Sequence, residues 1–388
     1  MLDVNQKNLI KLVSCALTGK KSEIPLSDSV LALAGKQGVA SLIYYSIDEE
    51  QQNQLPARRL QKEAKKTALQ FYHLLGFTRF LQIHLKEAGI DTVVLKGLSC
   101  ACSYPVPESR RFGDVDLLVL DSGKFDSATE VLLSAGFFEA QDEHTTYHKT
   151  FNSSEGIVLE LHRALSEQFA DSKINRQMEY FVRGARNHAV TLCLEDGNGK
   201  ISGLDGGFQA FSLLIHMLHH LIHGGISLRL VADWAVLNEM SQEELDTYYR
   251  LIRQSGLISW SNLVTETCIH YFGGCKLPVF DGIEHTKSQI MVFLEEIFDS
   301  GEGSSDMENH LMTVADSSIV GLMKEFHNQM RINYRIWSKC ILLWPILYLF
   351  TFIRFVKNNS ALKRGKTLDI LKSARLHGRK LKRMKVFD

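Results

Sequence analysis

Residues 94–120 read VLKGLSCACSYPVPESRRFGDVDLLVL, and the rest of the chain is best understood outward from this stretch. Val115–Leu120 is short, apolar and β-branched, the composition of a buried strand, and Thr92–Leu95 has the same character. Asp114 and Asp116 stand two residues apart at the mouth of the later strand, a spacing that puts both side chains on one face. Two carboxylates so placed repel unless a cation sits between them. Magnesium suits such a pair, because it takes a few hard oxygens from protein and leaves the rest of its shell to water and phosphate. A D-x-D pair alone is a weak signal, since surface strands and turns carry it too. Here Leu117, Leu118 and Val119 follow directly, so the acids open a buried strand.

A third carboxylate lies downstream in Val158-Leu159-Glu160-Leu161-His162. Strand parity places Glu160 and His162 on one face, opposite Leu159 and Leu161. If this strand lies beside the Asp114–Asp116 strand, three carboxylates converge, and Glu160 is placed to bind metal or to take the proton of an attacking hydroxyl. Upstream, Lys96-Gly97 closes the first strand; Gly97 permits close approach of backbone to phosphate and Lys96 offers a positive charge. Arg110 and Arg111 precede the acids and are suited to clamping phosphate oxygens. The alternatives are an ordinary turn at Gly97 and an arginine that merely neutralises the acids.

Around this centre the pattern runs helical, then mixed, then helical again. Residues 5–18 and 28–47 are helical in periodicity, broken at Pro25. A longer helix is expected from Pro56 to Ala88, with Leu60, Ala64, Leu69, Tyr72, Leu75, Phe80 and Ile83 as its apolar positions and Gly89 as its stop. Ser122–Ala135 reads as a helix with Ser122 as N-cap and Gly136 as stop. Tyr147–Phe151 and Ile157–His162 read as two strands joined by a hairpin loop, Ser153–Gly156. From Phe208 to about Asn328 the chain is mostly helical, punctuated at Gly224-Gly225, Gly273-Gly274 and Gly301–Ser305. The expected divisions are a helical region at 1–90, a mixed core at 91–204, a second helical region at 205–334 and a tail at 335–388.

Composition places the 388 residues among ordinary globular proteins, with 45% hydrophobic and 23% charged residues. The net charge is zero but unevenly spread. From Arg335 onward there are fourteen Lys or Arg and two acids, so the tail carries about +12 and the body about −12. Such a tail meets an anionic membrane or nucleic acid, or docks as a basic helix on the acidic body. The seven cysteines are scattered, without the C-x-x-C spacing of a zinc site, and read as reduced thiols of a cytosolic protein. The N-terminus, with Asp3 and Lys11, is not a secretory signal. Cys340–Val356 is apolar but only 17 residues long, with Pro345 inside it, at or below the limit for a span. Its aromatic residues and the bases after it suit a segment lying in the membrane interface, or else a buried core helix. The localisation expected is therefore cytoplasmic, with peripheral contact at the inner face of the membrane through residues 340–386.

Phe208–His223 carries His216, His219, His220 and His223 in one helical stripe. Three readings stay open: metal binding, contact with substrate phosphate, or polar packing against the sheet. Arg229 and Asp233, four apart, are spaced as a helix ion pair.

Taken together, Leu95-Lys96-Gly97, Tyr104-Pro105, Arg111 and Gly113–Val119, followed by Glu160-Leu161-His162 and then by His216–His223, Arg229 and Asp233, resemble the uncharacterised nucleotidyltransferase family of bacterial gene clusters, part of the DNA polymerase β-like superfamily. The resemblance spans roughly residues 30–240. It implies an α+β fold, a small mixed β-sheet nucleotidyltransferase core flanked by N- and C-terminal helical segments. It also implies magnesium-dependent transfer of a nucleoside monophosphate from an NTP to a hydroxyl or phosphate acceptor. Asp114, Asp116 and Glu160 would be the catalytic, metal-holding set, with Lys96, Gly97, Ser99, Arg111 and His162 around the nucleotide. The superfamily places Ser directly after the turn glycine; here Leu98 follows Gly97 and Ser99 comes next. The acceptor expected is a small molecule such as a sugar or lipid-linked precursor. The alternatives are protein or RNA as acceptor, nucleic acid being the less favoured partner, and a non-catalytic protein that binds nucleotide or tethers a complex at the membrane.

Overall fold

The computed structural model describes residues 2–140, 147–193, 199–223, 225–300, 337–361 and 378–387, with scattered positions between 323 and 334. The expected break at Gly301–Ser305 lies outside the described residues. The strands are β1 (Thr92–Val94), β2 (Val115–Val119), β3 (Phe138–Glu139), β4 (His148–Asn152) and β5 (Val158–His162), with a separate hairpin of β6 (Ala189–Cys193) and β7 (Lys200–Leu204). The sheet order is β1-β2-β5-β4-β3. β1 runs antiparallel to β2, β2 parallel to β5, and β4 antiparallel to β5 and β3. The fold is thus α+β with a small mixed sheet, as expected.

The period-two pattern of the strands gives the sheet two different faces. Val94, Val115, Leu117, Val119, Phe151, Leu159 and Leu161 point into a cluster completed by Phe71, Leu74, Leu81, Phe125 and Leu132 from two helices, α5 (Leu55–Glu87) and α7 (Phe125–Ser134). The opposite face sends Val93, Leu95 and Leu118 into the larger core. That core holds the helices before the sheet, α1 (Val4–Leu17), α2 (Asp28–Lys36) and α3 (Ala40–Tyr44), and those after it: α8 (Ser172–Gly184), α9 (Gly206–His223), α10 (Leu228–Ala235), α11 (Gln242–Ser255), α12 (Ile258–Tyr271) and α13 (Lys287–Asp299). Short helices α4 (Glu49–Gln52) and α6 (Leu98–Ala101) join them. The predicted helix 28–47 is interrupted because Gly38 takes φ +68°, separating α2 from α3.

Three expectations about helices need correction. On α5, Leu60, Ala64 and Leu75 are buried, but Leu69, Tyr72, Phe80 and Ile83 are exposed. The buried stripe is instead Ala57, Leu60, Ala64, Thr67, Phe71, Leu74, Thr78, Leu81 and Leu85, a 3-4 alternation in which two threonines occupy apolar positions. Second, Ser122 is not the N-cap of α7. Asp121 accepts a hydrogen bond from the Gly123 amide and starts a 3-10 turn, Ser122–Lys124, that leads into the helix. Third, Asp233 is not left to Arg229: both its oxygens are bound by Arg110.

At the other end, α14 (Trp344–Ala361) follows two 3-10 turns, Trp337–Lys339 and Ile341–Leu343. Among the described residues no helix is long and apolar enough to cross a membrane. Residues 378–384 form a last helix, α15. Leu381, Met384 and Val386 are buried in the larger core, and Lys380 reaches Glu296 at 2.6 Å and Asp299 at 3.0 Å on α13. This end of the basic tail therefore docks on the acidic body.

Candidate active site

The site is built from the register of three strands. The β1–β2 ladder is extended by the Leu95 amide donating to the Asp116 carbonyl at 3.1 Å, which brings the next residue, Lys96, alongside Asp116. In the parallel pair, Asp116 lies opposite Glu160 and Leu118 opposite His162. β4 then sets His148 opposite His162 and Thr150 opposite Glu160. One sheet face thereby collects Lys96, Asp116, Glu160, His162, His148 and Thr150, while the leucines between them hold the other face in the core. Asp114 sits just before β2, and one carboxylate oxygen from each of Asp114, Asp116 and Glu160 lies within 4.8 Å of the others. Hard oxygens gathered on one side could hold a divalent cation that completes its shell with water or phosphate.

The charges of this face are compensated within the protein. Lys96 Nζ is 2.9 Å from Asp116 Oδ1 and 3.9 Å from Glu160 Oε2. His162 Nε2 is 3.1 Å from each of the same two carboxylates, and its Nδ1 is 3.3 Å from the Ala164 carbonyl. Burial works against the Lys96 charge, but Asp116, then Asp114 and Glu160, outweigh it and raise its pKa. Asp116, only 1% exposed, is likewise penalised by burial, yet Lys96 and the His162 hydrogen bond hold it well below the usual carboxylate range. Burial pushes Glu160 up to about 7; Lys96 and His162 oppose this, and the neighbouring Asp114 and Asp116 add to it. Burial also opposes the His162 charge, but the hydrogen bonds to Asp116 and Glu160 raise it to about 9. An imidazolium is consistent with acceptors at both ring nitrogens.

Of the other expected site residues, Gly97 takes φ +68°, a conformation strained for any side chain, where the chain turns from β1 into α6. Ser99 is buried in α6. Arg111 is exposed and lines a groove of about 850 Å³ with Asp28, Arg59, Glu63 and Lys66. Arg110 is not a phosphate clamp. It is 3% exposed, and its Nε and Nη2 each donate at 2.7 Å to Asp233, whose Oδ1 also accepts from the Tyr104 hydroxyl at 2.7 Å. The loop that delivers Asp114 is thus tied to α10. The signal for this was present in the chain, since a buried arginine needs a carboxylate partner. Spacing within one helix pointed to Arg229 instead.

The histidine stripe of α9 approaches this face. The His219 Nδ1 and the Ser166 hydroxyl are 3.0 Å apart, and the His219 ring lies 6.3 Å from Tyr147, itself 6.0 Å from His162. Burial first, and then the Lys96 charge, lowers the pKa of His216; His220 is brought down to about 3 by burial, Lys96 and Arg229. These rings are neutral imidazoles beside the charged set. His148 and Thr150 escaped the sequence reading. Their signal was the alternation His148, Thr150, Asn152, which marks a polar face on β4.

A family model described as uncharacterised nucleotidyltransferase matches residues 27–271. A comparison with curated proteins found no match. Among solved structures, the chain is similar to an antigenic nucleotidyltransferase-like protein from Paracoccidioides brasiliensis. The identity is 17%, covering 53% of this chain and 96% of that one, with a TM-score of 0.30.

Proposed function

We propose, from the premise that this chain belongs to the uncharacterised nucleotidyltransferase family, that it moves a nucleoside monophosphate from an NTP to a hydroxyl or phosphate acceptor with magnesium at Asp114, Asp116 and Glu160. The observation that supports this most directly is the parallel register of β2 and β5, which sets Asp116 against Glu160 and brings Asp114 within reach of both. Bound magnesium would neutralise charge on the phosphates and lower the acceptor's pKa.

The protein's own residues then have distinct tasks. Asp116 stays ionised because Lys96 and His162 favour its charged form. His162 holds Asp116 and Glu160 in position through one nitrogen. Lys96 is the cation nearest the acids, and on this reading it turns from Asp116 to the phosphates as ligand binds. Gly97 and Ser99 shape the turn behind it, and Arg111, three residues before Asp114, would offer a further cation to the nucleotide. The imidazoles of α9, which feel the Lys96 charge, would offer polar contacts to a nucleotide or its acceptor.

The acceptor favoured is a small molecule, a sugar or a lipid-linked precursor at the inner face of the membrane. Its motivation is the exposed apolar surface at the end of the chain, Ile341, Leu342 and the outer side of α14. An RNA acceptor is less favoured, because Lys380 is engaged by Glu296 and Asp299. The test is incubation with magnesium and each α-labelled NTP, with a cell extract as acceptor source and Asp116→Asn alongside. Label transferred by the native protein and not by the variant supports the reading. Absence of both transfer and magnesium-dependent nucleotide binding overturns it in favour of a non-catalytic role.

A further inference from the structure

We propose that α14 and the turns before it form an interfacial anchor that lies on a membrane carrying anionic lipid. A helix of a water-soluble protein ordinarily buries one apolar stripe and gives its other side to polar residues. α14 does not. Its inner side is used: Leu347 and Thr351 are buried, and the Tyr348 hydroxyl meets His327 Nδ1 at 2.6 Å. Its outer side is apolar as well. Ile346, Leu349, Phe350 and Ile353 recur at helical spacing and are all exposed. Ile341 and Leu342, 69% and 87% exposed, continue the surface into the preceding turn. Because the inner contacts fix the rotation of the helix, this stripe cannot be turned inward without breaking them.

A contiguous apolar patch of this kind marks a protein or a membrane contact. The charge decides for lipid. The exposed bases Lys339 and Arg354 flank the patch, and the sequence has no Asp or Glu from Arg335 to Leu368. A second copy of the chain laid on this face would set like charges against like, whereas an anionic headgroup layer neutralises them. Trp337, also exposed, belongs at the level of the headgroups. Depth is limited to the interface, because Arg354 and the short apolar run exclude a span.

The experiment is sedimentation of the full-length protein with vesicles of phosphatidylcholine alone and of phosphatidylcholine with phosphatidylglycerol. Tryptophan emission and light-scattering mass are recorded in parallel. We expect binding to the anionic vesicles, weakened by salt, with a blue shift that Trp337→Phe diminishes. Leu342→Glu/Leu349→Glu and, separately, Lys339→Glu/Arg354→Glu should each cut binding at least tenfold, with unaltered thermal unfolding because all four positions are exposed. The anchor is overturned by three results: no vesicle binding, binding indifferent to both double substitutions, or a dimer in solution that the apolar substitutions dissolve while vesicles stay unbound. Transfer of nucleotide label is scored separately, so loss of the anchor leaves the proposed chemistry standing, and the reverse.

Discussion

Asp116 serves two cations at once, the Lys96 ammonium and the His162 imidazolium, in a position almost sealed from water. A divalent ion entering beside Asp116 would therefore compete with Lys96 for the charge of this carboxylate. Two outcomes follow from that competition. Asp116→Asn should abolish magnesium-dependent nucleotide binding and also lower stability by about 1–3 kcal/mol, because two buried cations lose a partner; denaturant unfolding with and without magnesium separates the two effects. Lys96→Met should make the protein lean more on the ion. At tenfold excess over its dissociation constant a ligand adds about 1.4 kcal/mol, and the thermal shift with magnesium should be larger in the variant than in the native chain. Equal, or absent, shifts would show that the ion does not enter beside Asp116. The three carboxylates and His162 were legible in the sequence, because strand parity is a local rule that a short apolar run obeys. Lys96 as the counter-ion of Asp116 was not, since that contact depends on how β1 is paired with β2.

Helix α5 shows where periodicity misleads. Several of its large apolar residues face solvent, while Thr67 and Thr78 sit in the buried stripe. A 33-residue helix with hydrophobic residues on more than one side offers several plausible stripes, and the choice is made by what packs against it, here the sheet and α7. Thr78 is fully buried, and its hydroxyl has no hydrogen-bond partner among the described residues. Thr78→Val should accordingly stabilise the protein by about 1 kcal/mol, whereas Leu69→Gln should stay within about 0.5 kcal/mol. A lower melting point for Thr78→Val would mean that the hydroxyl is satisfied after all. The link from α10 to the loop before β2 has the opposite sign. Asp233→Ala should cost about 3–5 kcal/mol by stranding the Arg110 charge, and Arg110→Met/Asp233→Leu should recover most of that in the same urea titration.

Across the whole molecule, distant segments close the core. The last described helix, α15, and the residues after it add Leu381, Met384 and Val386 to the larger core, and the Ser259 hydroxyl donates to the Lys385 carbonyl. Burial of one such side chain is worth about 1.5–3 kcal/mol, so removing residues 378–388 should cost more than about 3 kcal/mol in denaturant unfolding. Lys380→Ala, which removes a partly exposed lysine from Glu296 and Asp299, should cost less than that, about 1 kcal/mol. The excess of basic residues in the tail was plain from composition. Its division into a part that docks on the body and a part that flanks an exposed apolar surface was not, because charge alone does not say which segments carry buried leucines.

The parallel pairing of β2 with β5 also works as an assembly check. A slip of one residue would turn Glu160 into the apolar layer and bring Leu159 or Leu161 round to the charged face. Such a chain would lose its core and its carboxylate triad in one step, so a misassembled molecule has no half-formed site with which to misfire.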